Sequence, residues 1–259
     1  MYKERMYKLV EIYAFMPPNP PSYRKDDFRV QYIETDKRKI PYIFYRANVD
    51  DIRKDTFTFL YTHGNAEDLG KIHYWMKYFR AHMNVNILTY DYTGYGYNGK
   101  LGRATEDDCY KDIETVYTWC LNNGFSASRI ILWGKSIGSG PSIHLAAKLS
   151  KSGNPCAGLI LQSPITSVVC VITNKLRWFP FLDIFENYKK ISKVSIPVFI
   201  IHGHLDNIVP CSHSQELASK LKTNLWKLLY LNNAGHNDIE LKCKNTICYN
   251  IMMFMQYLR

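Results

Sequence analysis

The first 108 of the 259 residues contain no cysteine, and the seven cysteines that follow form no C-x-x-C pair. An odd, irregularly spaced set excludes a disulfide framework as the source of stability. The acceptor pattern N-x-S/T is absent too. Both absences point to a reducing compartment, and the expected location is the cytoplasm. Cys243 and Cys248 lack zinc-ligand spacing, and the His202-x-His204 pair has no third ligand at a sensible distance in the sequence. No metal and no cofactor is expected.

Long apolar runs are also missing. No stretch approaches the ~20 apolar residues of a membrane span. The opening MYKERMYKLVEIYAFMPPNPP has charges through its first half and no apolar core of the kind a signal peptide carries. Tyr2, where glycine would be required, excludes N-myristoylation. The charge is unbalanced, with 33 Lys and Arg against 23 Asp and Glu for a net +10, but no long basic block accounts for it. Short groups such as Lys37-Arg38-Lys39 and Lys189-Lys190 come with no nucleic-acid motif, so nucleic acid is not expected as a partner. Two readings of the charge stay open: a solvated basic surface, or attraction to anionic lipid and peripheral contact with a membrane.

What is present is a globular composition, 46% hydrophobic with 20 tyrosines. A single domain of this length buries roughly 75% of the surface its unfolded chain exposes and needs no staple. Tyr2, Met6, Leu9, Val10 and Tyr13 share one face at helical spacing. That short amphipathic segment either lies on a membrane or packs on the domain. Pro17, Pro18, Pro20 and Pro21 follow as a stiff connector. The expected division is therefore an N-terminal segment and connector over 1–22 and one α/β domain over 23–259. A monomer is the expected state.

Beyond the connector, apolar runs alternate with helical patterns. Strands are expected at 28–35, 39–47, 56–64, 85–96, 129–133, 158–163, 197–203 and 226–231. The first two read as an antiparallel pair. Helices are expected over 68–83, 104–124 with Thr105 as cap, 137–150, 212–222 and 239–258. The alternation implies a mostly parallel sheet with helices on both faces. Strands buried on both faces read as short unbroken apolar runs, as these do.

Gly134-Lys135-Ser136-Ile137-Gly138 stands between the strand 129–133 and the helix 137–150. A G-x-S-x-G in that context is a nucleophile elbow. The turn forces the serine into a strained backbone conformation, and side chains two residues to either side would collide, so glycine occupies both positions. The hydroxyl of Ser136 then stands clear of the sheet, facing the positive end of the next helix.

A serine needs a base, and the base needs an acid to orient it. Both follow in the chain order of this elbow, at strand ends: Asp206 in HGHLDNIVP and His236 in NNAGHNDIE. Ligands and catalytic groups collect beyond the carboxyl ends of parallel strands, where all three lie. Asp91 in TYDYTGYG is a weaker candidate acid, better suited to holding the turn around Gly94 and Gly96. Asp238 follows His236 too closely, His63 is expected to bond backbone, and Ser163 has no glycine frame. The oxyanion donors are expected to be the N–H groups of Ile137, next to the nucleophile, and Asn65, in THGNAEDLG. An apolar insertion over about 164–193 holds Trp178, Phe179 and Phe181 among other large residues. It reads either as a wall for a lipid chain or as ordinary packing on the sheet.

The stretches AFMPPNP, THGNAEDLG, YDYTGYG, GKSIGSGPS, LILQSPITS, KISKVSIPVFIIHG and AGHNDIEL run from residue 14 to 241. Through them the chain resembles the α/β-hydrolase superfamily, and more closely the α/β-hydrolase domain-containing protein 17 family of protein depalmitoylases. The resemblance implies the α/β-hydrolase fold, with a lid in the insertion and Ser136, Asp206 and His236 as the triad. It also implies hydrolysis of fatty thioesters on cysteines of membrane-associated proteins. Members of that family carry a lipidated N-terminal cysteine cluster, for which residues 1–108 here offer no cysteine. Three functions stay open: a hydrolase of long-chain thioesters or esters, the same machinery on small esters, lysophospholipids or peptides, and a silent hydrolase scaffold that binds a partner.

Overall fold

The computed structural model describes residues 11, 14–48, 56–99, 103–172 and 183–259. Eight strands make one sheet: β1 (Gln31–Glu34), β2 (Lys39–Tyr45), β3 (Thr58–Thr62), β4 (Asn86–Tyr90), β5 (Ile130–Lys135), β6 (Gly158–Gln162), β7 (Val198–Gly203) and β8 (Leu225–Leu231). Their order is β1-β2-β4-β3-β5-β6-β7-β8. β2 is antiparallel to both its neighbours, β1 and β4, and the six strands from β4 through β3, β5, β6 and β7 to β8 run parallel to one another. Around them lie α1 (Leu69–Met83), α2 (Glu106–Asn122), α3 (Ser139–Lys151), α4 (Val168–Ile172), α5 (Asn187–Lys190), α6 (Ser212–Ser219), α7 (Ile239–Lys242) and α8 (Lys244–Tyr257). This is the mixed α/β architecture expected from the alternation.

The period of two in the strands divides the core into two layers. Phe59, Tyr61, Ile131, Trp133 and Phe199 pack on one side with Met76 and Phe79 of α1 and Phe254 of α8. Leu60, Leu132, Leu161 and Ile200 face the other side, against Ile113 of α2, Ile143 of α3 and Leu217 of α6. Every residue of β3 and β5, as of β4, β6 and β7, is buried, so the strands that lead to Asn65 and Ser136 are held inside the sheet. The insertion is bound to α3: the Asn187 amide donates to Ser139 Oγ at 3.3 Å and to the Ile165 carbonyl at 2.9 Å.

Helix ends follow the local chemistry. Thr105 caps α2, its Oγ1 accepting the Asp108 N–H at 3.1 Å, and Asp68 caps α1 through the Lys71 N–H at 3.1 Å. Among the boundaries that differ from the sequence reading, three have a visible local cause. β1 begins at 31, because Asp27 takes the N–H of Arg29 at 3.0 Å in a turn that leaves Phe28 in solvent. β4 ends at Tyr90, and YDYTGYG leaves the sheet through glycines at φ +89° and +52°. The last helical run is interrupted at Cys243, whose thiol turns to Asn233 Oδ1 at 3.2 Å.

Candidate active site

The strand β5 delivers the chain to Ser136, which takes φ +52° in a single 3-10 turn before α3 begins. Neither flanking glycine carries the positive φ; what they supply is room. A Cβ on Gly134 would lie 2.7 Å from Ser142 Oγ, and one on Gly138 would strike the Thr62 carbonyl. The elbow is thus pressed against the end of β3.

Asp206 lies just beyond β7 and His236 beyond β8. The structure brings the three side chains together: His236 Nε2 is 3.0 Å from Ser136 Oγ, and His236 Nδ1 is 2.7 Å from Asp206 Oδ2. Each of the three is 8% exposed, so bulk water is largely excluded without closing the site. A carboxylate cannot donate, so Nδ1 carries the ring proton and Nε2 is left to accept from the serine. Asp206 is itself held by the N–H groups of Ile208 and Val209, at 3.0 and 2.8 Å. Burial alone would raise its pKa, but His202 and His236 beside it hold it well below the usual carboxylate range. It stays an anion wherever the imidazole needs one.

His202 was not singled out as a neighbour of the acid. Its Nε2 donates to the Val209 carbonyl at 2.8 Å and lies 3.3 Å from Asp206 Oδ2, while Nδ1 meets Ser214 Oγ at 2.6 Å. Both ring nitrogens are thereby engaged. The other candidates have structural roles. Asp91 accepts the Leu69 N–H at 3.0 Å and the Tyr23 hydroxyl at 2.6 Å. Asp238 takes the Gly235 N–H at 2.7 Å. His63 bonds the Gly64 carbonyl through Nδ1 at 2.8 Å. Ser163 shares the left-handed backbone of Ser136, at φ +45°, which its sequence context did not signal.

Asn65 and Ile137 both line the cavity that opens on Ser136. The Ile137 N–H sits in the first turn, where helix donors lack internal acceptors. The Asn65 side chain does something unforeseen. Its Oδ1 accepts the Met16 N–H at 2.9 Å and the Tyr95 hydroxyl at 2.6 Å, and its Nδ2 donates to the Ala14 carbonyl at 2.7 Å. The stretch AFM (14–16) is thereby fixed as part of the cavity wall, with Phe15 buried against Tyr95 and Phe185. No local pattern marks this contact, since it joins residues about 50 positions apart.

The cavity encloses about 520 Å³; its apolar wall includes Ala14, Met16, Ile165, Val168, Val171 and Val209, and Ser136, His236, Glu67, Lys71 and Lys135 also line it. Val168 and Val171 of the insertion thus face it, whereas Phe185 packs in the core. Trp178, Phe179 and Phe181 lie outside the described residues. Chemically, the site can deliver a serine hydroxyl to an acyl carbon while taking up its proton. It offers apolar space on one side of that carbon.

A family model described as serine aminopeptidase, S33, matches residues 55–186, about half of the chain. The chain belongs to this family of α/β-hydrolase-fold serine hydrolases. Human α/β-hydrolase domain-containing protein 17B is 37% identical over 186 residues, which cover 71% of this chain and 62% of that protein. The match therefore spans about three fifths of the relative's length. Among solved structures, an esterase of Pyrococcus furiosus superposes with a TM-score of 0.70 at 18% identity, covering 93% of this chain and 98% of that one. A soluble variant of monoglyceride lipase from Saccharomyces cerevisiae gives 0.68 at 19% identity, covering 92% and 99%. These likenesses are of fold. The family match places the chain among the serine hydrolases.

Proposed function

We propose that this hydrolase removes long-chain acyl groups, palmitate foremost, from protein cysteines, using Ser136, His236 and Asp206. The observation that carries the reading is the apolar cavity ending on the Ser136 hydroxyl, of a size suited to a small-molecule ligand. The resemblance to the protein 17 family supports a thioester as the bond cut.

In this reading His236 Nε2 takes the proton of Ser136 as its oxygen attacks the thioester carbonyl. The N–H groups of Asn65 and Ile137 receive the oxyanion; one such donor is worth roughly 100-fold or more in rate. Asp206 holds the imidazole and stabilises its charge. His236 then protonates the departing thiol, and a water deprotonated by the same nitrogen releases the fatty acid and restores the serine. The seven free thiols fit a reducing compartment, and the net charge of +10 supports peripheral contact with anionic membranes.

The test is release of acid from an S-palmitoyl peptide by wild type and Ser136→Ala, with an acetyl ester as control. Wild type is expected to cleave the palmitoyl thioester, and the variant to lose both that activity and labelling by a fluorophosphonate. Cleavage of the acetyl ester alone would refute the substrate class and keep the triad. Equal labelling of the variant would refute the triad.

A further inference from the structure

The second residue of the elbow motif, Lys135, has no part in the chemistry above, and its burial is unusual. A lysine is almost never this enclosed without a partner. Its residue is 5% exposed, and its Nζ lies 2.6 Å from Glu67 Oε1 and 2.7 Å from Glu240 Oε1. The three belong to three different segments. Glu67 is in the loop after β3 that presents Asn65, Lys135 ends β5 and precedes the nucleophile, and Glu240 is in α7, four residues beyond His236. The glutamates continue the connection. The other oxygen of Glu67 accepts the Gly64 N–H at 2.7 Å, one residue before the oxyanion donor. Glu240 accepts from the Gln162 amide at 2.8 Å, and Gln162 pairs with Lys135 across β5 and β6.

Given the serine-hydrolase reading, we infer that Lys135 is a positioning residue, a cationic bridge through Glu67 and Glu240 that fixes the oxyanion loop and the histidine loop relative to Ser136. The physical ground is the cost of burying charge. An ammonium withdrawn from water and shared by two carboxylates holds each at a defined distance, because moving either loop would leave a buried charge short of its partner. Burial by itself would raise the Glu67 carboxyl, but the Lys135 ammonium overrides it and keeps the pKa below the usual value. The Glu67 carboxylate and the Lys135 ammonium, whose pKa burial would lower but the two glutamates raise, therefore stay ionised together at neutral pH. Donors that are already in place cost no reorganisation when the oxyanion forms, so the benefit of the bridge falls on the transition state. Glu67 and Lys135 also border the cavity, but the apolar wall that would hold the ground-state acyl chain is made by Ala14, Met16, Ile165, Val168, Val171 and Val209.

Two variants test this by steady-state kinetics on an acyl ester, with fluorophosphonate labelling rates and thermal melts alongside. Glu67→Gln keeps the size of the side chain and leaves Lys135 paired with Glu240. Lys135 and the Gly64 N–H meet different oxygens of the carboxylate, and the amide replaces one of these with an NH2 donor, so one of the two contacts is lost in either orientation. We expect kcat to fall roughly 10- to 100-fold with KM within twofold, as for a modest misplacement of catalytic groups. Lys135→Met, which leaves two carboxylates facing each other, should lose more; if it does not fold, Glu67→Gln decides alone. A kcat within twofold of wild type, or a loss that appears only in KM or only in the melting point, would overturn the inference. Failure of the serine-hydrolase reading looks different: wild type itself would neither label nor turn over, and the inference would fall with it.

Discussion

Asp112 shows how far burial overrides charge pairing at a single residue. Its carboxylate is fully buried, accepts the Thr93 N–H at 2.6 Å and meets Arg38 at 2.5 Å. Burial nevertheless outweighs those partners and pushes its pKa up to about 6. Between about pH 4 and pH 6 the folded chain holds a proton here that the unfolded chain has released. This group's contribution is complete below that window and declines by about 3 kcal/mol as pH rises through it. Arg38→Met takes away the cation bonded to the carboxylate, and the expected cost is about 3–5 kcal/mol at pH 8. At pH 5 the folded carboxyl already holds its proton, so no buried charge is left unpaired and the cost should be smaller. Urea unfolding of both proteins at the two pH values measures the difference; an equal loss at each would exclude buried ionisation as its cause.

At the scale of elements, the elbow and β3 are built against each other. Gly138 has an ordinary helical backbone, φ −62°, so alanine there is excluded by space alone. Gly138→Ala should cost roughly 1–3 kcal/mol as an overpacked contact. It should also slow fluorophosphonate labelling, because relief requires Ser136 or the oxyanion loop to shift. A variant with an unchanged melt and labelling rate would show that the contact yields without moving either. This pairing also marks the limit of sequence reading. Strands such as Ile130–Lys135 and caps such as Thr105 are written in short runs of neighbouring residues, and so is the elbow. Asp206 and His236 were legible because each follows an apolar run at a strand end. The bridge through Lys135 joins residues 67, 135 and 240, and no periodicity spans such separations. The break at Cys243 left no signal either, since the helical pattern continues on both sides of it.

For the whole molecule, the parallel arrangement of β3, β5, β7 and β8 sends four loops off one edge of the sheet, and the candidate chemistry is confined there. The N-terminal stretch joins that edge through Asn65, a cavity-lining residue whose side chain holds the main chain of Ala14 and Met16. One consequence concerns solvent exchange. The Met16 amide is closed by a single bond to Asn65 at a position that borders the cavity, so its deuterium uptake is set by how often that wall opens. An acyl chain seated in the cavity should slow uptake across 14–16 relative to the empty enzyme, which exchange mass spectrometry with a long-chain phosphonate bound to Ser136 would record. Uptake unchanged by the long chain would mean that the acyl group lies away from this stretch, along the part of the wall formed by Val168 and Val171.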